Sequence, residues 1–237
     1  MNASGPPAIR TRRLGRRFGR SWALAHCDLE VAPGESLLVA GANGSGKTTL
    51  LRLLAGLLRP SVGSIEIFDL DPRTQRLACR RRLSLVSHQA FLYERLTALE
   101  SLRLWARILG RGRGDGRRGD GELVDLLAEV GLAERRDSTV ETFSAGMRKR
   151  LSLARARLED PDLFLLDEPF AALDVPGQRL VERWIAEGVE RGATVLLASH
   201  QLAQAAALCR RAIVLKGGQI EWQGAAGDAA ARIEASA

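Results

Sequence analysis

Short apolar runs, each closed off by glycine, proline or charge, set the pattern of this chain. Leu37 to Ala40, Leu163 to Leu166 and Val195 to Ala198 are continuous and apolar, as expected of strands buried on both faces of a parallel sheet. Ala212 to Leu215 predicts another strand. Leu29-Glu30-Val31 and Ser64-Ile65-Glu66-Ile67-Phe68 alternate with period two and predict half-buried strands, and Leu83 to Ser87 is a further candidate. Helices are expected over about 47–58, 97–110, 122–130, 145–158, 178–190 and 201–209, the first stopped by Arg59-Pro60 and the third by Gly131. Strands alternating with helices imply βαβ units, hence an α/β fold, interrupted by a helical insertion at about residues 90–160.

Composition supports a folded globular chain. Of 237 residues, 46% are hydrophobic, 27% charged and 5% aromatic, and a chain this long buries a full core without disulfides or a structural metal. The apolar runs fall far short of the roughly 18 residues that span a bilayer. Cys27, Cys79 and Cys209 are far apart with no CxxC spacing, which argues against a disulfide framework or a zinc site and fits a reduced compartment. The N-terminus leads straight into arginines, without the apolar run of a signal peptide.

Charge is the unusual quantity: 35 basic against 28 acidic residues, with Lys47, Lys149 and Lys216 the only lysines. A basic surface attracts polyanions, although charge runs are usually solvated faces. Residues 110–121, reading GRGRGDGRRGDG, contain no apolar side chain and predict a flexible loop. Without aromatics the run offers no platform for stacking bases, and no nucleic-acid partner is expected.

Two motifs carry chemistry. Gly41-Ala42-Asn43-Gly44-Ser45-Gly46-Lys47-Thr48 fits G-x-x-x-x-G-K-[ST] between a predicted strand and a predicted helix. There glycines let backbone N–H groups close on phosphate oxygens, the helix N-terminus adds its dipole, Lys47 reaches the β- and γ-phosphates, and the Thr48 hydroxyl suits Mg²⁺. The second motif is Leu163 to Glu168, an apolar strand ending in two carboxylates. Asp167 is assigned to the metal and Glu168 to the attacking water, whose proton it would accept.

With these motifs in that order, Phe143-Ser144-Ala145-Gly146-Met147 resembles the signature sequence of the ATP-binding cassette family. The resemblance covers essentially the whole chain. It implies a single P-loop NTPase domain over 1–237, with a mixed or parallel core sheet flanked by helices, an N-terminal antiparallel β part, the helical subdomain at about 90–160 and a tail at about 224–237. ATP and Mg²⁺ are the implied ligands. Nucleotide contacts are implied for Gly41, Ala42, Asn43, Gly44, Ser45, Gly46, Lys47, Thr48 and Thr49, for the adenine-stacking aromatic, taken as Phe18 with Trp22 nearby, and for Ser144 and Gly146. Metal contacts fall to Thr48, Gln89 and Asp167, and catalytic roles to Glu168, Gln89 and His200, while Ala172-Leu173-Asp174 resembles the loop that communicates between two ATP sites. Ala145 and Met147 stand where glycine and glutamine are usual, the latter removing a polar contact near the sugar.

The family resemblance further implies a homodimer or heterodimer of ATPase subunits that sandwiches two ATP molecules, coupled to separate transmembrane permease subunits on the cytoplasmic face of the inner membrane. His88-Gln89, Arg95 to Leu102, Ser144-Ala145-Gly146 and Asp167-Glu168-Pro169-Phe170 together resemble the haem-exporting branch that serves cytochrome c maturation. Met147 and Arg148 depart from that branch. A multidrug, lipid or ion exporter ATPase is the alternative, and a soluble cassette protein acting on nucleic acid or ribosomes a more distant one.

Overall fold

A computed structural model describes residues 6–87, 92–109 and 119–235. Contacts divide the chain into two compact units. The first comprises residues up to Leu85, Pro161–Glu168 and Ile185 onward.

Within the first unit, β1 (Ile9–Phe18) pairs antiparallel with both β2 (Ser21–Val31) and β4 (Val62–Ile67), giving a three-stranded sheet in the order β2-β1-β4. A six-stranded sheet is formed by β3 (Ser36–Ala40), β5 (Leu83–Val86), β6 (Leu163–Asp167), β7 (Thr194–Ala198), β8 (Arg211–Lys216) and β9 (Gln219–Ala225), in the order β5-β6-β7-β3-β8-β9. β3 is parallel to β7 and β8, and β6 to β7. Every residue of β3 and of β7 is buried, which is why both read as unbroken apolar runs. β9 is an antiparallel edge strand whose burial alternates residue by residue. Leu50, Leu51, Leu53 and Leu54 of α1 (Lys47–Leu54) join Leu37, Val39, Leu165, Leu196 and Ile213 in the core.

Helix α1 stops at Leu54 rather than near residue 58. Gly56, at φ 66°, closes it: the Gly56 N–H donates to Leu53 O (3.0 Å) and the Leu57 N–H to Arg52 O (2.9 Å). This left-handed glycine cap ends the helix before the proline is reached. α2 (Arg76–Arg82) precedes β5, and α7 (Leu202–Leu208) lies between β7 and β8. Of the segment expected to be a tail, residues 224–235 hold the end of β9, which runs to Ala225, and α8 (Ala229–Ala235), with Ala226 and Ala229 buried.

The second unit comprises Val86–Asp160 and Pro169–Trp184. It holds α3 (Ala98–Ile108), α4 (Asp120–Glu129), α5 (Ala145–Glu159) and the first ten residues of α6 (Val175–Glu190). A capping box starts α3: Thr97 Oγ1 accepts from the Glu100 N–H (3.2 Å) and Glu100 Oε2 from the Thr97 N–H (2.8 Å). Asp120 and Gly121, read with the glycine-arginine loop, instead open α4. Asp120 and Glu122 complement the positive end of that helix, and Asp120 pairs with Arg103 at 2.7 Å. Residues 110–118 of the expected loop lie outside the described residues.

Candidate functional site

Register alone brings three loops to one sheet edge. Asp167 pairs with Ala198 and Ala198 with Val39, so the segments beginning at Gly41, Glu168 and Ser199 all leave from the carboxyl ends of adjacent parallel strands. Open α/β sheets bind ligands at such an edge.

The loop from Gly41 to Thr48 is held tightly against its surroundings. At Gly41 an added Cβ would lie 2.3 Å from Leu215 O and 2.7 Å from Ser45 Oγ. Gly46, at φ 111°, would place one 2.5 Å from Ala23 O. Gly46→Ala is therefore expected to cost at least about 2 kcal/mol, against about 1 kcal/mol for Gly44→Ala, whose Cβ meets nothing within 4 Å. Urea unfolding of the two variants measures the difference.

Lys47 is buried, and its Nζ donates to Gly41 O (2.7 Å) and Ala42 O (3.0 Å), folding the loop around the ammonium. Burial pushes the Lys47 pKa below its ordinary value, while Glu168 and Asp167 oppose the shift. Ser45 Oγ is buried without a hydrogen-bond partner among the described residues, and no side chain caps α1. An orphaned hydroxyl, a helix N-terminus and a desolvated cation therefore share one loop. A phosphate chain satisfies all three.

Thr48 Oγ1 donates to Asp167 Oδ1 at 3.2 Å. The hydroxyl and the carboxylate offer adjacent hard oxygens, the donor type a divalent magnesium prefers. Glu168 follows in a left-handed conformation, φ 50°, its N–H donating to Ala198 O (2.8 Å). That conformation costs about 1–2 kcal/mol for a non-glycine residue and persists because neighbours fix it. The Glu168 carboxylate accepts from the His200 N–H (3.0 Å) and Ser199 Oγ (3.2 Å), and its Oε2 lies 2.8 Å from His200 Nδ1. Sequence reasoning misses Ser199, whose only signal is its place between the apolar strand and His200.

Of the other expected residues, Phe18 is exposed near the β1–β2 turn with Arg16 over its ring (4.7 Å), while Trp22 lies over Gly15, where a Cβ would be 3.0 Å from its ring. Thr49 is half-buried in the first turn of α1. Gln89 lies outside the described residues. In the second unit, exposed Ser144 caps α5 by accepting from the Met147 N–H (3.3 Å), and a Cβ on Gly146 would sit 2.8 Å from Ala172 O. Asp174 accepts from the Gly177 N–H (3.1 Å) and from Arg150 Nη2 (2.5 Å), contacts that hold its carboxyl below the usual range.

A family model described as ABC transporter matches residues 24–171. The chain belongs to the ABC transporter family. It is 33% identical over 204 residues to the ABC transporter ATP-binding protein NatA of Bacillus subtilis, covering 86% of this chain and 82% of NatA. It is 35% identical to the daunorubicin/doxorubicin resistance ATP-binding protein DrrA of Streptomyces peucetius, over 96% of this chain and 68% of DrrA. Against the cytochrome c biogenesis ATP-binding export protein CcmA of Xanthomonas campestris it is 40% identical, over 83% of this chain and 88% of CcmA. An ATP-binding subunit of an ABC transporter superposes with TM-score 0.85 at 29% identity, over 93% of this chain and 91% of that one. The ATP-binding cassette MJ0796, in a dimeric post-hydrolysis state bound to ADP and Pi, superposes at 0.81 with 25% identity, over 92% and 98%. This chain is thus an ABC ATP-binding subunit and an ATPase, and none of its described helices is long and apolar enough to cross a membrane.

Proposed function

We propose that this ABC ATPase powers export through separate transmembrane permease subunits at the cytoplasmic face of the inner membrane, with haem for cytochrome c maturation as the cargo. The observation that carries the hydrolytic part is the cluster of Lys47, Thr48, Asp167 and Glu168, with Glu168 oriented by Ser199 and His200. Backbone N–H groups of the 41–49 loop and Lys47 bind the phosphates, and Phe18 stacks on adenine. Ser144 and Gly146 of a second ATPase subunit, at the N-terminus of its α5, close over the γ-phosphate. Glu168 accepts a proton from the water that attacks the γ-phosphorus as the bond to the β–γ bridging oxygen breaks, releasing ADP and phosphate. His200, held at Nδ1 by Glu168, presents its other ring nitrogen toward the γ-phosphate.

Thr48 and Asp167, with Gln89, would hold Mg²⁺, which when bound offsets the phosphate charge. No cluster of three His, Cys, Asp or Glu side chains suited to a metal exists among the described residues, and magnesium commonly takes one or two protein oxygens and completes its shell with phosphate and water.

The cargo reading rests on the 40% identity to CcmA, together with the sequence resemblance at Arg95 to Leu102 and Asp167 to Phe170. Drug export is a second reading, favoured by the match to DrrA over 96% of the chain. Deleting the gene separates them. Haem export predicts loss of covalently haem-labelled cytochrome c, restored by the wild-type gene but not by a Lys47→Ala copy. Intact cytochrome c with new sensitivity to intercalating drugs would favour the second reading.

A further inference from the structure

Helix α2 turns the usual amphipathic arrangement outward. Cys79 is its one buried residue, whereas Arg76, Leu77, Arg80 and Arg81 all face solvent, with Leu77 67% exposed. The pairs Arg76–Arg80 and Leu77–Arg81, each four residues apart, are neighbours on the helix surface and together occupy an arc of about 140°, and the exposed Arg73 precedes them. Arg73 is neutralised by Asp71 at 2.9 Å, and Arg82 is drawn off by Asp162 at 2.7 Å and by the Phe68 ring at 3.9 Å. The side chains of Arg76, Arg80 and Arg81 have no hydrogen bond or ion pair among the described residues. Arg76 and Arg80, one turn apart, repel each other.

Three unneutralised guanidiniums around one exposed leucine are complementary to an anionic interface that also accepts an apolar side chain. We propose that this face of α2 docks on the anionic phospholipid headgroups of the membrane at which the transporter works, Arg76, Arg80 and Arg81 contacting phosphates and Leu77 entering the acyl boundary. The proposal rests on the reading of the chain as a membrane-attached ATPase. Nucleic acid is the less complementary partner, because the face has no aromatic side chain for stacking and its leucine would gain nothing from a phosphate backbone. A basic residue close to an anionic leaflet strengthens binding about fivefold, so the three together supply about a hundredfold.

Flotation of the full chain with vesicles of phosphatidylcholine, alone or mixed with phosphatidylglycerol, tests this without nucleotide or partner subunits. Binding to the mixed vesicles only is expected, weakening as salt rises. The variant Arg76→Gln/Arg80→Gln/Arg81→Gln is expected to lose about a hundredfold in partitioning, and Leu77→Ser about tenfold. A control with equal charge loss elsewhere, Arg12→Gln/Arg13→Gln/Arg232→Gln, should bind at close to the wild-type level. Equal binding to neutral vesicles, or equal losses in the control, would overturn the proposal. So would retention on duplex DNA that the α2 variant abolishes while vesicle binding survives. The α2 variant should hydrolyse ATP at the wild-type rate in solution, so failure of lipid docking would leave the ATPase reading standing.

Discussion

Glu168→Gln is expected to lower steady-state ATP hydrolysis by about a thousandfold while ATP binding is retained, the middle of the range for loss of a general base. The change is nearly isosteric. Glutamine keeps its carbonyl oxygen for the His200 N–H, which donates to Oε1 at 3.0 Å, and its amide group, in place of Oε2, donates to the Ser199 hydroxyl, which turns from donor to acceptor, so the loop geometry and the positive φ survive. What it loses is the ability to take a proton from water. Single-turnover quench measurements with radiolabelled ATP separate binding from cleavage. Hydrolysis at the wild-type rate would remove Glu168 from the proposed role.

Lys47→Ala is expected to weaken ATP binding by about tenfold to a hundredfold, the loss of a charge-assisted hydrogen bond to phosphate, without lowering the thermal stability of the nucleotide-free protein. The second half follows from the sign of the pKa shift. Burial holds the Lys47 pKa below its ordinary value, so the folded state binds that proton less tightly than the unfolded chain does. At neutral pH the charge on Lys47 therefore opposes folding, and relief of that cost in the alanine variant offsets the loss of the hydrogen bonds to Gly41 O and Ala42 O. Phosphate reverses the preference by favouring the ammonium. ATP affinity should accordingly hold steady near neutrality and fall as pH rises through the depressed Lys47 pKa, below the ordinary 10.5. Fluorescence titration with a nucleotide analogue across alkaline pH measures this, and melting curves of the two apo proteins measure the stability.

The phosphate loop was legible because its chemistry fixes residue types at fixed spacing: Gly46 and Lys47 have few substitutes where a backbone must turn at φ 111° and an ammonium must reach back to Gly41 O. The buried strands were legible because β3 and β7 are apolar on both faces. Ends of elements were harder. α1 ends at a glycine cap whose hydrogen bonds, not its composition, stop the helix, and β9 shows no apolar run because it exposes every second residue at a sheet edge. Ser199 was invisible for a different reason. A serine after a strand has no pattern of its own, and its position beside Glu168 exists only because Asp167 and Ala198 are paired across two strands.

At the centre of the proposed mechanism is a composite site, in which Ser144 of one subunit completes the phosphate loop of another. Its most direct test is the light-scattering mass of Glu168→Gln with Mg²⁺ and ATP, in otherwise wild-type protein and in protein that also carries Ser144→Arg. A shift from the 25.7 kDa chain to twice that mass is expected in the first, and a monomer in the second. A mass unaltered by ATP in the first, or an ATP-dependent dimer that survives Ser144→Arg, would contradict the composite site.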